Sequence, residues 1–415
     1  MSEAAPHRLA MQSLDEALER LLSTVQPLGL SERLPTGDAL GRVLAEPVVS
    51  LIDVPPADNS SMDGYALCAA DVAASDAVLP VAQRVPAGVV GAVHQAGTAA
   101  RIFTGAQIPV GADAVVMQEQ CEALAVDLAS EGLGSVRVNA QVQAGQWIRR
   151  RGEDVEQGAT VLAAGCRLDA AALGLAASVG AAQLTVARRP RVALFSTGDE
   201  LVMPGEPLKP GAIYNSNRFT LRAMLQGLGC EVIDLGIVPD KLDATRAALR
   251  EAAGQADLII TSGGVSVGEE DHLRPAVQAE GSLDLWQIAI KPGKPLAFGR
   301  VGGAWFIGLP GNPVSSFVTF ALAVRPVILR MQGATKLQPR SFMLRADFDW
   351  PKADRRREFL RVRLNEAGGL DLFPNQSSGV LTSAVWADGL LDNPAGQAFE
   401  AGHSVRYLPM TELLT

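Results

Sequence analysis

The sequence predicts a multidomain α/β protein. A central domain with a parallel sheet is expected between β-rich N-terminal domains and a small, barrel-like C-terminal β domain. The length of 415 residues is enough for about three domains, and the sequence pattern changes near residues 188 and 332. Only between those two points do short apolar runs alternate with segments of helical spacing, which indicates a parallel sheet covered by helices.

The N-terminal part predicts one amphipathic helix followed by short strands. Ser13 can cap a helix whose apolar residues recur at helical spacing and whose first turn is acidic. From about residue 42 to residue 187, β-branched runs alternate with Gly, Pro and Asp, which is typical of β structure. We divide this part into an elongated domain of residues 1–50 and 142–187 and a β-rich domain of residues 51–141.

The central domain, residues 188–332, predicts alternating strands and helices. Strands are expected at residues 191–195, 231–235 and 257–261. Helices are expected at residues 217–229 and 242–253, with Gly229 and Gly254 as their C-terminal stops. Short strands resume after residue 331, for example at residues 341–344 and 358–364, so residues 333–415 form the C-terminal β domain.

The composition excludes several classes of protein. Hydrophobic residues make up 48% of the chain and the formal net charge is −9, so neither disorder nor a broad nucleic-acid or anionic-membrane surface is expected. Four scattered cysteines, Cys68, Cys121, Cys166 and Cys230, predict neither a zinc site nor a disulfide framework.

The acidic N-terminus lacks the apolar core of a signal peptide, so we expect a cytoplasmic protein. The apolar stretch 170–187 is interrupted by polar residues and predicts a buried helix followed by a strand.

Acidic loops follow all three predicted central strands, at residues 196–200, 236–240 and 262–271. The carboxyl ends of parallel strands meet at one edge of a sheet, so these loops should form one cleft. Each loop alone also fits a structural interpretation, in which glycine forms a turn and aspartate caps a helix. Three such loops at one edge favour a functional site.

The third acidic loop combines carboxylates with glycines. Gly263, Gly264 and Gly268 leave backbone N–H groups free to approach phosphate oxygens. Carboxylates beside a phosphate repel it unless a cation lies between them, and a thiol-free set of oxygen ligands suits magnesium. The sequence therefore predicts a magnesium-bridged phosphate site that uses Asp240 and Asp271.

Two further loops of the central domain indicate an anion pocket. The segment KPGKP, residues 291–295, presents two lysines on a stiff backbone, as an oxyanion site requires, although an exposed turn is the alternative. In the segment 309–316, Asn312 is expected as the N-cap and Pro313 as the first residue of an apolar helix. The sequence thus predicts a magnesium-dependent site for a phosphorylated small molecule, with an oxyanion pocket beside it.

Other polar segments allow simpler interpretations. The loops 58–65 and 101–106 fit ordinary turn chemistry. Arg149 to Arg151 could bind an anion, but a solvated face near acids is favoured. His272 is the only histidine near the acidic loops, so no Ser/His/Asp arrangement is expected.

Together these motifs resemble the MoeA-type molybdopterin molybdenumtransferases, a family that includes the E domain of gephyrin. The resemblance covers nearly the whole chain, and no single motif is sufficient for it. The motifs are DNSSMDGYA (58–66), RIFTGA (101–106), IRRRGED (148–154), FSTGDEL (195–201), TSGGVSVGEED (261–271), KPGKP (291–295) and LPGNPVSS (309–316).

The resemblance implies the last step of molybdenum cofactor synthesis, in which adenylylated molybdopterin is cleaved, molybdate enters its dithiolene, and AMP is released. It also implies a central domain of the molybdopterin-binding type and a homodimer. The partner subunit's β-rich domain would complete the site, which gives Asp58 and Thr104 a role. A molybdopterin adenylyltransferase and recipient molybdoenzymes would be further partners.

The same resemblance assigns roles to single residues. Asp240, Ser266 and Asp271 would surround magnesium and pyrophosphate, with Glu200 close by. Molybdate would be held by Lys291, Lys294, Pro295, Arg361 and Ser378, and the remaining binding residues would be Gly263, Gly264, Gly268 and Asn312. The sequence departs from the family pattern at Glu270-Asp271-His272 and at Lys241, where a second Asp is frequent.

Two other functions remain open. A molybdopterin adenylyltransferase would resemble the central domain alone, which leaves about 190 preceding residues and the C-terminal domain unexplained. A gephyrin-like scaffold without catalysis is less favoured, because no second enzyme domain or long linker is visible in the sequence.

Overall fold

A computed structural model describes residues 11–72, 76–124, 132–264 and 272–414. The multidomain α/β class predicted from the sequence is confirmed. The described residues form a seven-stranded central sheet, two six-stranded sheets and four two-stranded sheets. Helices cover the central sheet on both faces and form one core cluster with each face. The β-rich parts of the chain have further core clusters of their own.

The described chain up to residue 187 forms two α-helices and two β-rich units. The elements are β1 (Met11–Gln12), α1 (Leu14–Thr24), β2 (Ser31–Pro35), β3 (Val48–Val49), β4 (Asn59–Ser60), β5 (Gly64–Leu67), β6 (Ala77–Val85), β7 (Ala99–Ile102), β8 (Ala114–Met117), β9 (Cys121–Leu124), β10 (Ser135–Val138), β11 (Ile148–Arg149), β12 (Thr160–Leu162), α2 (Ala170–Ser178) and β13 (Gln183–Ala187). Strands β8, β5, β7, β6, β10 and β9 form a six-stranded sheet in that order. The pairs β2–β13 and β3–β12 bring residues 31–49 against residues 160–187.

The central segment alternates strands and helices, as the sequence pattern predicts. Its elements are β14 (Arg191–Thr197), β15 (Leu201–Val202), β16 (Ile213–Tyr214), α3 (Ser216–Gly227), β17 (Glu231–Val238), α4 (Leu242–Gln255), β18 (Leu258–Ser262), α5 (Leu273–Glu280), β19 (Gly281–Ile288), β20 (Ile290–Lys291), β21 (Pro295–Val301), β22 (Ala304–Leu309), α6 (Pro313–Thr319) and α7 (Arg325–Met331). The large sheet has the order β1-β19-β21-β22-β18-β14-β17.

Not every strand of this sheet is parallel. Strand β21 runs antiparallel to both β19 and β22, while the other neighbouring pairs are parallel. The reversal between β21 and β22 takes only Gly302 and Gly303, and Gly302 has a φ of 56°, which glycine adopts without strain. The antiparallel strand brings the start of β21 to the edge where the parallel strands end.

One of the two predicted helix stops is wrong. Gly229 follows α3 with a φ of 77°, as a C-terminal glycine should. Gly254, in contrast, lies inside α4, which continues to Gln255 and ends at Ala256 in an extended conformation. Glycine is tolerated there because a helix interior needs no special backbone angle; it only lowers helix propensity.

A long apolar helical run lies in the core. Residues Pro313–Met331, which comprise α6, a π-helical segment (Phe320–Val324) and α7, are long and apolar enough to cross a membrane, but 94% of the most apolar window is buried inside the protein. The run is therefore a core helix. The segment 170–187 forms a helix and a strand, as predicted.

The C-terminal domain is attached to the central domain through a shared strand pair. Its elements are β23 (Phe342–Arg345), β24 (Arg357–Leu364), β25 (Leu370–Leu372), α8 (Thr382–Trp386), β26 (Gly389–Asn393), β27 (Ser404–Pro409) and α9 (Met410–Leu414). Its sheet has the order β20-β24-β26-β27-β23, with β25 beside β24. Strand β20 therefore belongs to the sheet of the C-terminal domain although it precedes the central strand β21.

Helix α1 begins where the sequence predicts but packs elsewhere. The Ser13 Oγ accepts from the Glu16 N–H at 3.2 Å, and the Glu16 carboxylate accepts from the Ser13 N–H at 2.8 Å, which forms a capping box. Its buried residue Leu21 shares a cluster with Val192 and Ile328 of the central domain. Strand β1 extends the central sheet beside β19. This departs from our division of the chain, which placed all of residues 1–50 in the elongated domain.

We predict that Leu21→Ala destabilises the central domain by about 2–5 kcal/mol, because the side chain is fully buried in that core. Glu19→Ala, on the exposed face of the same helix, is the matched control. Urea unfolding followed by hydrogen exchange of β14 amides measures the effect. Faster exchange confined to β2 and β13 would contradict this packing.

Candidate functional site

A cavity of about 1020 Å³ opens at the edge of the central sheet where the parallel strands end. Its walls come from the loops after β14, β17, β18 and β22, from the KPGKP segment, and from residues 376–379 of the C-terminal domain. The loops that the sequence singled out therefore meet at one edge, although they come from distant parts of the chain.

Most of the predicted site residues line this cavity. They are Glu200, Asp240, Gly263, Gly264, Lys291, Lys294, Pro295, Asn312 and Ser378. Asp58 and Thr104 lie in the β-rich part, and Arg361 lies behind the cavity wall. Ser266, Gly268 and Asp271 lie outside the described residues, as does most of the loop that carries them.

The strand order sets the order of charges along the cavity. KPGKP leads into β21, residues 310–313 follow β22, Gly263 follows β18, and Glu200 follows β14. Asp240 comes after β17, one strand farther along. Lysines thus lie at one end, glycines in the middle and carboxylates at the other end. The lysine end and the β14 end are three strand spacings apart, about 14 Å.

The two lysines of KPGKP have different surroundings. The Lys291 Nζ lies 2.9 Å from Glu358 Oε1 and 3.3 Å from Asp354 Oδ2. Burial alone would lower the pKa of Lys291, but the hydrogen bonds to these carboxylates outweigh it and raise that pKa. Within the parts of the chain that the structure describes, the Lys294 ammonium has no carboxylate partner. Lys294 is therefore the lysine available to an anion.

The acids around Lys291 belong to a network in the C-terminal domain. Glu358 is fully buried and also accepts from Trp350 Nε1 at 2.7 Å. The Asp354 carboxylate accepts from Arg356 at 3.0 and 3.1 Å, and these hydrogen bonds hold its pKa well below the usual range. Sequence reasoning missed the roles of Asp354 and Glu358, because their partner Lys291 lies more than 60 residues earlier in the chain. The only signal was the charge run 354–358.

The KPGKP backbone needs its central glycine. Gly293 has a φ of 109°, and a Cβ there would lie 2.7 Å from the Thr319 Oγ1 and 3.2 Å from the Ile290 Cδ1. The Lys291–Pro292 peptide bond is cis. The loop is therefore fitted closely against the core helix α6, which fixes the position of Lys294.

The loop after β18 has glycines with positive φ, but one of the two backbone N–H groups expected to be free is used within the fold. Gly263 and Gly264 have φ values of 91° and 64°. A Cβ on Gly263 would lie 2.9 Å from the Thr197 carbonyl oxygen, so this close approach requires glycine. The Gly263 N–H, however, donates to the Leu309 carbonyl at 3.1 Å. Its N–H is used within the fold and is not free for phosphate.

Asn312 occupies the N-cap of α6, and Pro313 follows as the first helical residue. Both positions are as predicted, although the Asn312 side chain makes no capping hydrogen bond. A neighbouring asparagine stabilises the loop instead: the Asn217 Nδ2 donates to the Gly311 carbonyl at 2.7 Å. The Asn312 side chain lines the cavity.

Arg361 supports the cavity wall from behind. Its side chain is 1% exposed and donates to the Ser383 Oγ at 3.1 Å and the Ser377 carbonyl at 3.4 Å. Burial lowers the pKa of Arg361 to about 10. In this structure Arg361 therefore positions the loop that carries Ser378, whereas the resemblance implied direct contact with an oxyanion.

The two candidates in the β-rich part are held by local hydrogen bonds. The Asp58 carboxylate accepts from Arg150 and from the Arg151 N–H; partial burial opposes a low pKa, but these hydrogen bonds lower the pKa of Asp58. The Asp63 carboxylate accepts from the Thr104 N–H and hydroxyl, both at 2.7 Å. Neither Asp58 nor Thr104 lines the cavity of its own subunit.

Magnesium fits the donor chemistry of the carboxylate end. Glu200 and Asp240 offer carboxylate oxygens there, and no sulfur ligand lines the described cavity wall. Within residues 11–72, 76–124, 132–264 and 272–414, no three His, Cys, Asp or Glu side chains cluster closely enough to hold a metal ion alone. Asp271, the second predicted ligand, lies outside these ranges.

Family models match three successive parts of the chain. Residues 12–180 match the MoeA N-terminal region (domain I and II), residues 193–330 a probable molybdopterin binding domain, and residues 343–410 the MoeA C-terminal region (domain IV).

Relatives are similar over most of their length. The molybdopterin molybdenumtransferase of Haemophilus influenzae is 42% identical over 365 residues, which cover 87% of this chain and 89% of that protein. That of Bacillus subtilis is 34% identical, with 96% and 94% covered. A crystal structure of a molybdopterin biosynthesis MoeA protein from Pyrococcus horikoshii has a TM-score of 0.82 at 29% identity and covers 96% of this chain and all of that one.

We predict that the two lysines of KPGKP respond differently to truncation. Lys294→Ala should weaken molybdate binding at least tenfold, or about 1.4 kcal/mol, without loss of stability. Lys291→Ala should instead lower the free energy of unfolding by roughly 1–3 kcal/mol, because it leaves the buried Glu358 carboxylate without its cation. Calorimetric titration with molybdate and urea unfolding separate the two effects. Destabilisation by Lys294→Ala with intact binding would reverse this assignment.

Proposed function

Because this chain belongs to the MoeA family of molybdopterin molybdenumtransferases, enzymes of molybdenum cofactor biosynthesis, we propose that it inserts molybdate into adenylylated molybdopterin and releases AMP in a magnesium-dependent reaction. One observation carries the proposal: a single cavity has carboxylates at one end and, at the other, a lysine that has no carboxylate partner among the residues that the structure describes. The substrates need both, because one is an oxyanion and the other contains a phosphoanhydride.

At the lysine end, the chain offers donors for molybdate. The Lys294 ammonium supplies positive charge, and the Ser378 hydroxyl lies in the facing wall from the C-terminal domain. Lys291 stabilises the backbone of the same loop through Glu358, and Arg361 holds the loop around Ser378. Molybdate would thus meet a charge and hydrogen-bond donors that are fixed before it arrives, which lowers the cost of reorganisation.

At the carboxylate end, cleavage of the phosphoanhydride builds negative charge on phosphate oxygens. Asp240 and Asp271, with Glu200 nearby, would hold magnesium, which when bound supplies Lewis-acid charge neutralisation. Gly263 and Gly264 line the cavity between the two ends, where no side chain of theirs takes up room that the substrate would need. The pterin would therefore face Lys294 and the adenylyl group would face Asp240.

We further propose a cytoplasmic homodimer in which the β-rich part of the partner completes the cavity. Asp58 and Thr104 lie on a surface away from the cavity of their own subunit, so any contact with substrate requires a second copy. A molybdopterin adenylyltransferase would supply the substrate, and molybdoenzymes would receive the product.

The two alternative functions account for less of the chain. An adenylyltransferase would use the central domain alone, whereas the relatives match both flanking regions as well. A scaffold without catalysis does not require a cavity that has a lysine at one end and carboxylates at the other. We therefore retain the transferase as the proposed activity.

The decisive assay is molybdate-dependent release of AMP from adenylylated molybdopterin. Asp271→Asn and Lys294→Ala should each lower this release at least tenfold, about 1.4 kcal/mol in the barrier, because the first removes a proposed magnesium ligand and the second removes the positive charge proposed to hold molybdate. Asp284→Asn and Lys336→Ala, at exposed positions away from the cavity, are the matched controls. Near-normal rates in both site variants would overturn the site assignment.

The magnesium requirement is tested in the same assay. Removal of divalent cations should abolish AMP release, and millimolar magnesium should restore it. Release that is unchanged by chelation would contradict the metal site. Formation of adenylylated molybdopterin from molybdopterin and Mg-ATP would favour the adenylyltransferase instead.

A further inference from the structure

We infer that Ile213 and Tyr214 form the surface on which the adenine base of the substrate stacks. This inference rests on the proposed function, because it names the subsite for one part of the proposed substrate. Together with Leu201, these residues are called here the apolar ledge; they lie on the short strands β15 and β16 beside the carboxylate end of the cavity.

The apolar ledge differs in chemistry from the rest of the cavity. Apart from prolines, its three residues are the only apolar side chains among the described residues of the cavity wall. Ile213 is 55% exposed and Tyr214 is 45% exposed. A polar cavity that keeps two large apolar side chains exposed at one end suits a ligand with one flat apolar group.

Backbone and side-chain hydrogen bonds hold the apolar ledge in place. Leu201 pairs with Ile213, and Val202 pairs with Tyr214. The Ile213 N–H donates to the Glu200 carbonyl at 2.8 Å, and the Tyr214 hydroxyl donates to the Glu206 carbonyl at 3.1 Å. The aromatic ring is therefore positioned before a ligand binds, which reduces the entropy lost on binding.

The order of groups along the sheet edge selects the base as the occupant. Molybdate and the pterin dithiolene must meet at Lys294, and the phosphates must lie near magnesium. The apolar ledge follows β14, about 14 Å beyond the start of β21 on the far side of the glycine loop. Of the parts of adenylylated molybdopterin, the nucleoside is the one attached beyond the phosphates.

The apolar ledge offers stacking without reading the edge of the base. The Tyr214 hydroxyl donates to the Glu206 carbonyl, so it is not a free donor for the edge of the base, and the half-exposed ring remains for stacking. Stacking of a base on an aromatic ring is largely independent of which base is present. The apolar ledge should therefore bind any flat base by stacking. Specificity for adenine would come from other contacts.

The test compares AMP with ribose 5-phosphate, which has the same sugar phosphate but lacks the base. In the presence of magnesium, wild-type protein should bind AMP about tenfold more tightly than ribose 5-phosphate, because one stacking contact contributes about that much affinity. Tyr214→Ala should lose most of this difference, whereas Tyr214→Phe should keep it. The affinity for ribose 5-phosphate should be equal in all three proteins, as measured by calorimetric titration.

Two results would overturn the inference. In one, Tyr214→Ala lowers the affinity for AMP and the affinity for ribose 5-phosphate by the same factor. Tyr214 would then position the loop and would not stack on the base. In the other, Tyr214→Ala binds AMP like the wild type. If Tyr214→Ala does not fold, Ile213→Ala removes the neighbouring side chain and gives the same comparison.

Molybdate-dependent AMP release separates this inference from the proposed function. If wild-type protein shows the release and Tyr214→Ala keeps full selectivity for AMP over ribose 5-phosphate, only the ledge assignment fails. If wild-type protein shows no release with any molybdate concentration, the proposed function fails.

Discussion

The pairing of β20 with β24 is the constraint on which the cavity depends. Through it the KPGKP segment begins in the sheet of the C-terminal domain and ends, at Pro295, in the sheet of the central domain. Residue Lys291 pairs with Glu358 in backbone register, and its ammonium contacts the buried Glu358 carboxylate. The Val314 N–H donates to the Ser378 carbonyl at 2.9 Å and holds the same wall against helix α6, so the pairing and this hydrogen bond together fix the position of Ser378.

The same link explains how an acidic protein can present a cationic pocket. The chain has a net charge of −9, yet one end of the cavity carries a lysine without a carboxylate partner among the described residues. Lys291 forms ion pairs with Asp354 and Glu358, and these carboxylates raise the pKa of Lys291. Because both acids pair with Lys291, the Lys294 ammonium remains available to an anion. Three strand spacings separate the start of β21, which follows Lys294, from the end of β14, which precedes Glu200, and this distance keeps the two kinds of charge apart.

The sequence predicted the features that follow from strand topology. Loops after parallel strands must meet at one edge, which is why Glu200, Asp240 and Gly263 could be placed together without coordinates. It could not predict features that depend on distant partners. The neutralisation of Lys291 by Glu358, the burial of Arg361 behind residues 376–379, and the packing of α1 on the central core all join segments far apart in the chain. The apolar ledge was missed because β15 and β16 have two residues each, too few to show a period.

The central claim is that oxyanion and metal bind at opposite ends of one cavity. Anomalous X-ray diffraction from crystals that contain tungstate, in place of molybdate, and manganese, in place of magnesium, tests it directly. The account predicts a tungsten peak beside Lys294 and a separate manganese peak beside Asp240. Both peaks at the same end, or a tungsten peak beside Asp240, would contradict it.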